Sequence, residues 1–102
     1  MEIEWTQSAV KDLESIYVYI STDSEFYALS FVEKIIEAVE KLKDFPEIGR
    51  IVYEADNPNV RELIFQNFRI IYRIINEVVQ IIAIIRGSRD MSLLKSKPWE
   101  IA

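Results

Sequence analysis

Apolar positions follow three different rhythms along this chain. Ile3 and Trp5 alternate with Glu2 and Glu4, a period of two that predicts a short strand. Thr6 is suited to cap a helix. After it Ala9, Leu13, Ile16, Tyr17 and Ile20 recur at spacings of three and four, one helical stripe. Ser21 to Ser24 is a polar break. Ala28, Phe31, Val32, Ile35, Val39 and Leu42 then predict a second, longer helix, whose last turn reaches Phe45 before Pro46 stops it. So short a link predicts an antiparallel helical hairpin.

Pro46 to Arg50 reads as a loop with Gly49 as its flexible point, and Glu54 to Asn59 as a turn cluster. From Val60 the helical spacing gives way to runs of Ile, Val, Phe and Tyr. Val60 to Gln66, Phe68 to Ile75 and Val78 to Ile85 are separated by Gln66-Asn67 and Asn76-Glu77, which predicts a three-stranded antiparallel meander. A short polar tail follows Gly87, with Pro98 and Trp99 near its end. The expected fold is therefore α+β: a short N-terminal strand, an antiparallel α-helical hairpin, a three-stranded antiparallel meander and a short C-terminal tail, in one domain spanning 1–102.

Two-residue loops set a register. Phe65 faces Phe68, Leu63 faces Ile70 and Arg61 faces Tyr72; then Ile75 faces Val78, Arg73 faces Gln80, Ile71 faces Ile82 and Arg69 faces Ile84. One side of the sheet then carries Leu63, Phe65, Phe68, Ile70, Tyr72, Ile74, Val79, Ile81, Ala83 and Ile85, and should pack on the hairpin. The other carries Glu62, Ile64, Arg69, Ile71, Arg73, Gln80, Ile82, Ile84 and Arg86. Four isoleucines among three arginines are too apolar for a face left to water, so a covering element or a partner is expected there. Met91, Leu93 and Leu94 of the tail supply partial cover. Pairing of the arginines with Glu62 and Asp90 is the plainer alternative to their use by a partner. Arginine forks on an apolar platform otherwise suit a partner rich in carboxylate or phosphate.

Composition narrows the chemistry. The chain has 102 residues, half of them apolar, enough for a core without cross-links. Cysteine and histidine are both absent. That removes disulfides, thiolate nucleophiles, imidazole bases and the usual transition-metal ligands; a carboxylate-only Mg²⁺ or Ca²⁺ site stays open, but no DxDxDG-type loop occurs, so no cofactor and no metal are expected. No 18-residue apolar run or signal-peptide pattern occurs, which makes the cytoplasm the expected location and leaves no role at a membrane. The net charge of −5 is uneven. Residues 1–59 hold five Lys or Arg against thirteen Asp or Glu, and residues 60–102 hold seven against four. A uniformly acidic chain would be repelled by nucleic acid; the second half could still present a local basic patch, but a solvated acidic pair of helices with no role toward free nucleic acid is the favoured reading.

Trp5-Thr6 before Asp12-Leu13 and Tyr19-Ile20, Phe45-Pro46 before Gly49-Arg50, and Val60-Arg61-Glu62-Leu63 form an ordered series. It continues with Phe68-Arg69-Ile70-Ile71-Tyr72-Arg73-Ile74 and Arg86-Gly87-Ser88-Arg89-Asp90. In order and spacing this resembles the RelE/ParE superfamily of toxins from type II toxin–antitoxin systems, over almost the whole chain. The resemblance implies a toxin neutralised by a cognate antitoxin in a hetero-oligomer, and two possible targets. RelE-like members cut messenger RNA on the ribosome with lysines on the first meander strand, arginines on the second and last, and a tail tyrosine or histidine. ParE-like members inhibit DNA gyrase and need no known catalytic residue. Arg69 matches the middle-strand arginine, and Arg86 or Arg89 the later one; with Arg73 these are the residues a ribonuclease would use. The strand lysines are missing, and Met91 to Ala102 holds neither Tyr nor His. Many ParE-like members carry His where Arg86 stands. RNA cleavage needs a base and a proton donor, and the sequence offers no obvious ones. The ParE-like reading, a protein inhibitor rather than an enzyme, is therefore favoured over a ribosome-dependent endoribonuclease; a non-toxic antitoxin-binding module is a third reading that the sequence does not separate from it. The antitoxin is expected to cover Ile64, Ile71, Ile82 and Ile84 with an apolar stripe and to set carboxylates against Arg69, Arg73 and Arg86. The outer surface of the helical hairpin is acidic and is not expected to take part.

Overall fold

In a computed structural model the chain is described over residues 1–87 and 98–100. Strand β1 (Glu2–Trp5) leads into helices α1 (Gln7–Ser21) and α2 (Glu25–Glu40), as the periodicity predicts. Thr6 caps α1, its Oγ1 accepting from Ala9 N at 3.1 Å, and Ser24 caps α2 through Tyr27 N at 3.1 Å. The α-helix does not run to Phe45. It tightens into a 3₁₀ turn over Lys41–Lys43, which still buries Leu42. Phe45, held out of the helical region by Pro46, leaves the helix instead.

Five strands form one mixed sheet, ordered β1-β5-β4-β3-β2. The three predicted meander strands are β3 (Val60–Phe65), β4 (Phe68–Ile75) and β5 (Val78–Arg86). Asn76 and Glu77 both take positive φ, the geometry of a tight two-residue hairpin. The sheet is not purely antiparallel, because β1 lies parallel to β5, Glu2 opposite Val78 through Trp5 opposite Ile81. It also has one strand more than expected. Arg50–Ile51, where the sequence pattern predicts the end of a loop at Arg50 and no element at Ile51, is a two-residue strand β2 pairing with Arg61 and Glu62. Two residues are too few to show a period.

The β3–β4 register is as expected, and so are Ile75 opposite Val78 and Arg73 opposite Gln80. Beyond them a bulge shifts the pairing. Ile71 faces Ala83 rather than Ile82, and Arg69 faces Ile85 rather than Ile84. The bulged backbone is taken up by α1. Thr6 N donates to Ile81 O and Thr6 Oγ1 to Ile82 O, while Asp12 Oδ2 accepts from Ile84 N at 2.9 Å. Where β1 ends, the side chains of the cap residue Thr6 and of Asp12 in α1 thus satisfy the edge of β5.

The slip swaps residues between faces. The main core, between hairpin and sheet, contains Phe31, Ile35, Val39, Ile70, Tyr72, Val79, Ile81 and Ile84. Phe31 meets Phe65 and Phe68 edge-on at centroid distances of 5.3 and 5.7 Å. Ile84, expected on the open side, belongs here. Ala83 and Ile85, expected here, lie on the opposite side.

Tyr72 packs under the hairpin as expected. Its hydroxyl donates to Pro46 O at 2.7 Å and accepts from Gly49 N at 3.0 Å, and Arg61 Nη1 donates to Gly49 O at 2.9 Å. Burial pushes the phenol pKa up, with the Gly49 bond opposing it. The approach is so close that a Cβ on Gly49 would sit 2.5 Å from the Tyr72 hydroxyl and 2.7 Å from Glu62 O. Gly49→Ala is therefore expected to displace the loop and cost about 1–3 kcal/mol, read as a lower urea midpoint at unchanged slope.

Candidate partner-binding face

The side of the sheet away from the hairpin holds a second apolar cluster. Ile71, Ile82 and Ala83 pack with Val52 and Val60, and Ala55, Ile85 and Trp99 close over them. The 3₁₀ turn Tyr53–Ala55 and the short Pro98–Glu100 turn thus roof much of this face. The tail reaches this face through Trp99, which the sequence pattern does not assign to it; Met91, Leu93 and Leu94, the residues expected to cover it, lie outside the described residues. Ile71 and Ile82, expected to be open to a partner, are buried, because Val52 and Trp99 occupy the space above them.

Arg69 is buried beside this cluster, and its guanidinium is caged by carboxylates of the same chain. Nη1 and Nη2 donate to the two oxygens of Glu54 at 3.2 and 3.1 Å, and Nε donates to Glu62 Oε1. The Glu62 side chain is 2% exposed and that of Glu54 0%. The other oxygen of Glu62 accepts from Arg50 Nε at 2.8 Å. Burial alone would pull the Arg69 pKa down, but the bonds and charges of Glu54 and Glu62 outweigh it and hold the pKa above its ordinary value. The plainer sequence alternative, pairing with Glu62, is thus what occurs. Glu54 was missed because it comes from a connection fifteen residues upstream with no pattern of its own.

Arg73 shares the face but not the cage. Its Nε donates to Gln80 Oε1 at 2.6 Å, and Gln80 Nε2 donates to Glu4 Oε1 at 2.7 Å, a polar file across β4, β5 and β1. Arg86 is elsewhere. The bulge turns it to the hairpin side, where its guanidinium lies 5.2 Å from the centroid of the Tyr19 ring. The expected trio of arginines on one platform is therefore corrected: Arg69 is internally neutralised, Arg73 is engaged with Gln80, and Arg86 is on the other side. Arg89 lies outside the described residues.

Of the expected isoleucines, Ile64 alone is open, 51% exposed. It lines a groove of about 500 Å³ with Arg50, Tyr53, Gln66, Asn67 and Phe68, with Arg69 and Gly87 also at its wall. Tyr53 and Arg50, which periodicity had not singled out, give the groove an aromatic and a cationic edge; both are exposed.

Asp12, on the hairpin side of the sheet, is a carboxyl with a perturbed pKa. Burial raises its pKa above the ordinary 3.8, and the bond from Ile84 N opposes the rise. A carboxyl that binds its proton more tightly when folded contributes stability below the unfolded pKa, lost as pH rises through the folded value. Asp12→Asn, which keeps an acceptor for Ile84 N, is expected to flatten the fall in stability from pH 3.8 upward and to match or exceed the native protein at pH 7. Urea titrations at pH 4, 5.5 and 7 read the difference.

Among the described residues no cluster of acidic side chains is arranged to hold a metal, and no helix is long and apolar enough to cross a membrane. No match was found among curated proteins. The fold is similar to that of the chromosomal ParDE TA system from P. aeruginosa, with 30% identity, a TM-score of 0.72, and coverage of 86% of this chain and 97% of that one. The isolated E. coli RelE toxin has the same fold at 15% identity and TM-score 0.62, covering 87% of this chain and 86% of its own. Residues 3–91 match the family described as ParE toxin of type II toxin-antitoxin system, parDE. With that match spanning the helical hairpin and all five strands but for Glu2, the chain belongs to the ParE toxin family of type II toxin–antitoxin systems.

Proposed function

We propose that this toxin acts in the cytoplasm as an inhibitor of DNA gyrase and is neutralised by a cognate antitoxin, in a hetero-oligomer that touches DNA only through the antitoxin. The observation that carries this reading is the Arg69 cage. A ribonuclease of this fold would need the middle-strand arginine for the scissile phosphate, and here Glu54 and Glu62 already hold that guanidinium. A phosphate would have to displace two buried carboxylates, which would then face it with like charge. Purified protein is expected to stop supercoiling by gyrase and to leave translation in a cell-free extract running. Unimpaired supercoiling with codon-specific message cleavage would assign the ribosomal target instead.

The antitoxin site moves with the corrected faces. Ile64 with Tyr53 and Arg50 forms the accessible part, and Arg73, opposite Val60, lies apart at the other end of β4, beyond the roofed Ile71. An antitoxin segment that folds on binding would seat an apolar side chain against Ile64 and Tyr53. With Arg69 neutralised from within, carboxylates of that segment would be drawn to Arg50 and Arg73, setting orientation and association rate more than affinity.

A further inference from the structure

We infer that the outer surface of the helical hairpin is a second docking surface, and that it takes a basic amphipathic helix of a protein partner. The inference is independent of the gyrase reading and of the antitoxin groove, which lies on the opposite side of the sheet.

Both helices bury one stripe against the sheet, and a solvent-facing flank of each is also apolar. On α2, Leu29, Val32 and Ile36 follow at spacings of three and four, so they form one row. Leu29 is 53% and Ile36 41% exposed. On α1, Val10 and Tyr17 are two turns apart and form the facing row, with Val10 41% exposed. The rows meet at a depression of about 290 Å³ lined by Leu13, Glu14, Tyr17, Val18 and Val32. A large exposed apolar surface costs solubility and marks an interaction site when it is contiguous and rimmed by charge. Two antiparallel helices with an apolar seam between them offer the groove into which a third helix packs its own ridge.

Charge decides the occupant. Across residues 7–43 seven carboxylates accompany four lysines. Glu14 borders the depression on α1, and Glu25 and Glu33 fall beside the α2 row by helical spacing, while Glu40 is paired with Lys43 at 3.1 Å. A second copy of this chain would bring the same acidic rim against itself, and an acidic helix or an anionic membrane would be repelled. Lys or Arg flanking an apolar stripe would pair with the rim, so the complementary partner is a basic amphipathic helix.

The test uses the full chain and two peptides of about 18 residues, roughly five helical turns, with leucines at helical spacing. One carries lysines on its polar face and the other glutamates. The Leu/Lys peptide is expected to bind saturably and to shift amide resonances of α1 and α2 while leaving β3 and β4 unmoved. Leu29→Gln/Ile36→Gln, at two exposed positions, should weaken it at least about tenfold. Glu14→Lys/Glu33→Lys, which leaves the apolar rows intact, should weaken the Leu/Lys peptide and strengthen the Leu/Glu one. Equal binding of the two peptides, shifts confined to the sheet, or undiminished affinity in both double variants overturns the inference. So does sedimentation showing that the native chain dimerises and Leu29→Gln/Ile36→Gln does not, because the face would then serve a second copy.

Discussion

Ile71→Asp is expected to abolish the cooperative fold, with no urea or thermal transition and a soluble yield near zero. Ile71 is 0% exposed, enclosed by Val52 and Val60 of its own cluster and roofed by Trp99. The substitution forfeits about 1.5–3 kcal/mol of aliphatic burial and places a carboxylate among apolar side chains. Together these reach about 5 kcal/mol or more, comparable with the ~5–15 kcal/mol by which a domain of this size is stable. On the register expected from the sequence Ile71 would face the antitoxin, and the same substitution would be a surface change that spoils antitoxin binding alone. Ile64→Asp is the substitution that should behave that way: the side chain is half exposed, so the fold should survive while antitoxin affinity falls about tenfold or more. A folded, soluble Ile71→Asp protein would overturn the second cluster as described.

Arg69→Met should be nearly as damaging, for an electrostatic reason. Arg69 is the cation shared by Glu54 and Glu62, whose side chains are almost wholly buried. Removing one partner of a buried ion pair costs about 3–5 kcal/mol, whereas replacing the whole group by neutral side chains of similar volume is often close to neutral. Arg69→Met alone is therefore expected to lower the urea midpoint severely. The triple variant Arg69→Met/Glu54→Gln/Glu62→Gln should recover most of the loss. The same variant separates structure from activity. If the arginine only pins the Tyr53–Ala55 turn to the sheet, the recovered protein still inhibits supercoiling. Loss of activity in a protein of native stability would give Arg69 a direct role at the target.

The elements themselves were legible. Alternation marked β1, spacings of three and four marked both helices, and aromatic and β-branched runs between turn residues marked β3, β4 and β5. Thr6 was readable as a cap because its side chain acts within one turn of its own position. The β3–β4 hairpin register followed from its two-residue turn. These features are local: each depends on residues within a few positions of one another, where steric and hydrogen-bonding preferences act directly.

The bulge between Ile71 and Tyr72 was not legible, and it redistributed the candidate site. Ile81, Ile82, Ala83, Ile84 and Ile85 are all apolar, so either register leaves two acceptable faces and the pattern cannot choose between them. The choice is made by Thr6 and Asp12, which bond to Ile82 O and Ile84 N from a helix more than seventy residues away in sequence. The cage is similar. Arg69 was visible as an arginine on an apolar strand, but its partner Glu54 reaches it only because β2 and the turn after it fold back over the sheet. What the sequence by itself determined was the order of elements, the hairpin, the toxin family and the stock of arginines and isoleucines. Which of those side chains face a partner was decided only in the tertiary structure, because burial and ion pairing depend on segments distant in sequence that a one-dimensional pattern does not bring together.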